Sequence, residues 1–126
     1  MARVLIIEDE QAILNLLRRI ITHIGHEALT SSNGSEALAM LASFDPHLII
    51  SDLRMPGKPS GIDLIRELRN RLPRLPIIVI SGYASNNMLA AWPELGIDEF
   101  LPKPFDMDAI RDAVGRALQR VSQPAG

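Results

Sequence analysis

A chain of 126 residues, 47% of them apolar, amounts to about one domain and can bury a single core. Its net charge of −2, with the basic residues spread along the chain, excludes nonspecific attraction to nucleic acid or to an anionic membrane surface. The absence of cysteine excludes disulfides and thiolate metal sites; the N-terminal apolar run is too short for an export signal or a membrane span, so the cytoplasm is the expected location.

VLII (4–7) has the character of a short buried strand. Ile13, Leu14, Leu16, Leu17, Ile20, Ile21 and Ile24 then recur at helical spacing, and Gly25 is the expected stop. HEALTS (26–31) predicts a weaker strand, and NGSEALAMLASF (33–44) a turn followed by a short helix. HLIIS (47–51) is the third strand. Ile62, Leu64, Ile65, Leu68 and Leu72 mark a helix that ends before Pro73. PIIVIS (76–81) is a buried strand, 85–95 a helix whose last turn Pro93 disturbs, and DEFL (98–101) a fifth strand. An amphipathic helix from Met107 to Val121, with Ile110, Ala113, Val114, Ala117 and Leu118 on one face, precedes the tail SQPAG.

Strands alternating with helices predict an α/β fold, a doubly wound five-stranded parallel sheet with helices on both faces. VLII, LII and IIVI are continuous rather than alternating, as strands covered on both sides should be. No internal repeat, linker or low-complexity segment divides the chain.

Ligands of such sheets bind at the carboxyl ends of the strands, near the point where strand order reverses. Glu8, Asp9 and Glu10 follow the first strand, Asp52 the third, Ser81 the fourth and Lys103 the fifth. Each has an ordinary reading alone: acids capping a helix, an aspartate or serine making a turn, a solvated lysine. Together they gather several carboxylates, a hydroxyl and an ammonium at one end of the sheet. Crowded carboxylates need a cation or protons, and oxygen ligands suit Mg²⁺. A carboxylate beside such an ion can act as a nucleophile toward phosphorus and form an acyl phosphate. Lysine and metal would offset the charge on the transferring oxygens.

VLIIEDE, SDLRMPG, PIIVISGYA and FLPKPF, spread over about 4–121, together resemble the receiver domain of two-component response regulators. The resemblance implies a flavodoxin-like (βα)5 fold with strand order 2-1-3-4-5, a receiver domain over 1–121 and a tail at 122–126. It implies that Asp52 is the phosphoacceptor, fed by a phosphohistidine on a sensor histidine kinase or phosphotransfer protein. Asp9, Glu8, Asp52 and the backbone carbonyl of Arg54 would hold Mg²⁺, which Mn²⁺ could replace. Ser81 and Phe100 match the switch hydroxyl and switch aromatic, and Lys103 the phosphoryl-contacting lysine, before a cis bond to Pro104. The implied role is signalling rather than metabolic catalysis: self-phosphorylation and self-dephosphorylation, a conformational change read by an unnamed effector near the 85–95 helix and the fifth strand, and a possible phosphorylation-dependent homodimer. No nucleic acid or membrane contact is implied. A receiver standing alone, one belonging to a hybrid kinase or larger regulator, and a pseudo-receiver that only binds are the alternatives within the family.

Two other classes fit poorly. An aspartyl phosphohydrolase would carry a second Asp two residues after the nucleophile, where Arg54 stands. A flavin or dinucleotide module needs a phosphate loop where EDEQ stands. The stretch from Asp52 to Gly61 is one residue longer than is usual in the family and brings in Lys58 and Pro59. Arg54 and Tyr83 are bulky at positions that tune phosphoryl loss, so a long-lived phosphoform is expected. His23, His26 and His47 have no nucleophile to pair with and suit surface or structural roles. Trp92, Met40, Met88 and Met107 are expected to pack.

Overall fold

The computed structural model describes residues 2–53, 61–82 and 96–122, with side chains to Gln119. Five strands, β1 (Arg3–Ile7), β2 (Glu27–Ser31), β3 (Leu48–Asp52), β4 (Ile77–Ser81) and β5 (Glu99–Pro102), form one parallel sheet in the order β2-β1-β3-β4-β5. The described helices are α1 (Gln11–His23), α2 (Gly34–Met40), α3 (Gly61–Arg71) and α4 (Met107–Ser122). The doubly wound parallel sheet and its strand order are those expected. The predicted helix over 85–95 lies outside the described residues, as do Arg54, Lys58, Pro59, Tyr83, Met88 and Trp92.

Alternation along the strands builds two cores, one on each face. Val4, Ile6, Leu48, Ile50, Ile78 and Ile80 turn toward Leu14, Leu17 and Ile21 of α1 and Ile110, Val114 and Ala117 of α4. Leu5, Ile7, Ile49, Ile77 and Val79 turn the other way, toward Leu64, Ile65 and Leu68 of α3 and Ala37 of α2. Every residue of β3 and β4 is buried, which explains their unbroken apolar runs.

Local signals set the helix ends. Gly25, at φ 96°, stops α1. Asn33 caps α2 by accepting from the Glu36 N–H at 2.8 Å, and Asp106 caps α4 by accepting from the Ala109 N–H at 2.8 Å. The helix expected to reach residue 44 ends at Met40; Leu41, Ala42 and Ser43 donate to carbonyls three residues back, so the chain tightens into turns. Met40 packs on the core, but Met107, expected to pack as well, is 48% exposed because it opens α4 at the protein surface.

At the amino ends of β4 and β5 sits a polar staple. Arg69 of α3 donates from Nη1 to the carbonyls of Leu75 (2.6 Å), Pro73 (3.1 Å) and Leu72 (3.4 Å), and from Nη2 to that of Gly96 at 2.7 Å. Its Nη2 also lies 3.7 Å from Asp98 Oδ2, which accepts from the Ile77 N–H at 2.8 Å. His26 and His47 are structural too: their Nδ1 atoms accept from the N–H groups of Ala2 and Arg3.

Candidate functional site

Parallel register brings the site together. Ile7 of β1 pairs with Ser51 of β3, so Glu8 follows level with Asp52. Asp52 pairs with Ile80, which puts Ser81 one step beyond it; Ser81 pairs with Pro102, which puts Lys103 next. The Lys103 N–H donates to the Ser81 carbonyl at 3.0 Å, and the Lys103–Pro104 bond is cis, as expected. Four strands thus deliver Glu8, Asp52, Ser81 and Lys103 to one end of the sheet.

Lys103 is the hub. Its Nζ donates to Glu8 Oε1 at 3.0 Å, to Asp52 Oδ2 at 3.1 Å and to Glu10 Oε1 at 3.4 Å. Glu8 is 1% exposed and Asp52 4%, so both carboxylates have lost most of their water. Burial pushes the Glu8 carboxyl up from the usual 4.5 to about 7; the neighbouring Asp52 adds to the rise and Lys103 opposes it. For Lys103, burial alone would favour the neutral amine. Its hydrogen bonds to Glu8 and Asp52, and their charges, outweigh that and hold it above the ordinary lysine value.

The expected site residues are placed unequally. Glu8, Asp52 and Lys103 meet directly. Ser81 is buried at the end of β4, and Phe100 of β5 is half-buried against the α3-side core. Asp9 is exposed, and the three carboxylates whose ligand oxygens lie within 4.8 Å of one another belong to Glu8, Glu10 and Asp52. Sequence reasoning placed Glu10 after the first strand without giving it a role. Its only signal was a glutamate at a helix N-cap, where shorter polar side chains are preferred.

This donor set suits a hard cation. All its ligand atoms are carboxylate oxygens, and Glu8 Oε2 is buried with no hydrogen-bond partner, which is where a proton or a cation belongs. Beside the site an open groove of about 360 Å³ is lined by Glu10, Ile13, Leu16, Lys103, Pro104 and Phe105. A groove of about 390 Å³ at the amino ends of β3 and β4 is lined mainly by prolines, leucines and arginines and lies away from the carboxylates. Volume alone therefore does not mark the chemistry. Among the described residues no helix is long and apolar enough to cross a membrane.

Known proteins are similar to this chain in sequence and fold. The transcriptional regulator NtrC of Salmonella typhimurium is 33% identical over 118 residues, covering 94% of this chain but 25% of its own length; this chain thus spans about a quarter of that relative. The crystal structure of a CheY-like receiver domain protein from Methanospirillum hungatei superposes with a TM-score of 0.90 over 95% of both chains, at 24% identity, a likeness of fold. The response regulator TrrA of Thermotoga maritima, solved in complex with Mg²⁺-BeF, superposes with a TM-score of 0.82 at 32% identity over 93% of this chain and 99% of that one. The family model for the response regulator receiver domain matches residues 4–115, and the chain belongs to that family, the receivers of two-component signal transduction.

Proposed function

We propose that Asp52 accepts a phosphoryl group from a phosphohistidine on a sensor histidine kinase or phosphotransfer protein, and that the phosphorylated chain regulates a partner. The observation that carries this reading is the position of Asp52: buried at the end of β3, beside Glu8 and 3.1 Å from Lys103. In the transfer a carboxylate oxygen of Asp52 attacks phosphorus in line with the leaving nitrogen. The P–O bond forms as the P–N bond breaks, and the electron pair returns to the donor imidazole, which takes up a proton. Lys103 holds an ammonium next to the oxygens where charge develops. Hydrolysis of the acyl phosphate by water resets the site, so the chain catalyses its own phosphorylation and dephosphorylation and acts on no metabolite.

Glu8, Asp9, Asp52 and the Arg54 carbonyl are the expected holders of Mg²⁺, and the position of Glu10 adds it to the candidates. When bound, the ion would supply positive charge opposite the phosphoryl oxygens; Mn²⁺ suits the same oxygen ligands. That the similar TrrA was solved in complex with Mg²⁺-BeF supports the choice of ion. The Ser81 hydroxyl would bond a phosphoryl oxygen, and the Phe100 ring would shift with it. A donor protein would seat on the groove formed by Ile13, Leu16 and Phe105, where Leu16 is 46% exposed. The effector, a phosphorylation-dependent homodimer and a cytoplasmic location belong to the same proposal.

The test is an intact-mass measurement after incubation with acetyl phosphate and Mg²⁺. Wild type should gain one phosphoryl group and Asp52→Asn none. A wild type that binds Mg²⁺ yet gains nothing would favour a receiver that works by binding alone.

A further inference from the structure

Lys103 meets three carboxylates, and they are not equivalent. An ammonium has three N–H donors, and Glu8, Asp52 and Glu10 offer one acceptor to each, at 3.0, 3.1 and 3.4 Å. The Glu8 and Asp52 side chains are 1% and 3% exposed, whereas that of Glu10 is 62% exposed. Abandoning either of the first two would take a cation from a carboxylate with little access to water. Abandoning Glu10 costs little, because solvent takes over at once. Glu10 is also the N-cap residue of α1, yet its side chain makes no capping bond. Its carboxylate reaches Lys103 instead of the helix end.

We infer that Glu10 is a placeholder for the phosphoryl group. It occupies the third donor of Lys103 before transfer and is the partner that Lys103 gives up when the phosphoryl group arrives on Asp52. The inference rests on the phosphoacceptor reading above. A phosphoryl group that leaves Lys103 bonded to Glu8 and to the unmodified oxygen of Asp52 needs the third donor, and that one points to Glu10 at the longest of the three distances. Until it is displaced, Glu10 competes with any incoming anion, both by holding Lys103 and by repelling negative charge. Glu10 thereby becomes a specificity-determining residue. Small anionic phosphodonors meet its full charge. A donor protein seated on the groove would face Glu10 directly, since Glu10 lines that groove with Ile13, Leu16 and Phe105, and can offer it a hydrogen bond or a cation.

Glu10→Gln keeps the size of the side chain and removes its charge, and with no capping bond to lose it should fold as wild type does, which a thermal melt checks. The initial rate of phosphorylation by acetyl phosphate with saturating Mg²⁺, followed by intact mass, should rise about two- to five-fold in the variant at low ionic strength, the scale of an exposed ion pair. The difference should shrink as salt is added. In metal-free protein a neutral acylating reagent, with the modified lysine located by peptide mass, should label Lys103 faster in Glu10→Gln than in wild type. An unchanged or lower phosphorylation rate in the variant overturns the placeholder, as does equal labelling of Lys103. A lower rate together with weaker Mg²⁺ binding assigns Glu10 to the metal instead. A wild type that takes up no phosphoryl group sinks both readings; uptake with no effect of the variant sinks this one alone.

Discussion

Lys103 and Asp52 are 51 residues apart in sequence and 3.1 Å apart in space, Nζ to Oδ2. The ammonium is the cation that the described structure places between two buried carboxylates, so the two ends of this contact should respond oppositely to mutation. Lys103→Met leaves Glu8 and Asp52 facing each other and should destabilise the metal-free protein by about 2–4 kcal/mol at neutral pH. Asp52→Asn removes one of two repelling charges and should stabilise it by about 1 kcal/mol. Urea unfolding in the presence of a chelator measures both, and shifts of the same sign would contradict the arrangement.

Glu8 makes the stability of the metal-free protein depend on pH. Its carboxyl is pushed up from 4.5 to about 7 in the fold, so between those values the folded chain keeps a proton that the unfolded chain has shed. The contribution is fully present below about pH 4.5 and is lost as pH rises through about 7. Glu8→Gln has no proton to lose. Without divalent cations, the stability of wild type relative to this variant should fall by roughly 2–3 kcal/mol across that window. A flat difference would show that Glu8 titrates as an ordinary carboxylate.

Arg69 should tolerate no replacement. Its guanidinium bonds the carbonyls of Leu75 and Gly96 at 2.6 and 2.7 Å and lies beside Asp98. Arg69→Met leaves those acceptors without their donor and should cost about 2–4 kcal/mol. Arg69→Lys keeps the charge but not the planar fork, and should recover less than half of the loss. Thermal unfolding of the three proteins checks the order; a lysine variant equal to wild type would mean that charge alone matters.

Gly61 opens α3 at φ +59°, and a Cβ built there would stand 3.3 Å from the Leu53 carbonyl oxygen. Gly61→Ala combines a left-handed backbone with a tight contact and should cost about 1–2 kcal/mol. Because Leu53 follows Asp52 directly, the same change should slow phosphorylation by acetyl phosphate. Full activity together with lost stability would separate the glycine from the site.

The fold was legible because its signals are local. VLII, LII and IIVI declare strands buried on both faces, and Gly25 declares the end of α1. The level at which Glu8, Asp52 and Lys103 meet was legible too, since each is the residue that ends or follows a strand and the register does the rest. What could not be seen depends on where long side chains turn. Arg69 looks like any basic residue in the last turn of a surface helix, although it reaches Gly96, 27 residues on. Glu10 looks like an ordinary acid at a helix start. Only a backbone in three dimensions shows that Glu10 faces Lys103 and that Asp9 is exposed.

Asp52 is mounted at the carboxyl end of the central strand of the sheet. β3 lies between β1 and β4 and has no exposed residue, so it cannot slide without breaking hydrogen bonds along both edges. A phosphoryl group on Asp52 would therefore act first on the groups at the rim. The signalling state and the durability of the fold become separate quantities. Selection can alter the lifetime or the audience of the signal at the rim residues without loosening the core that carries them.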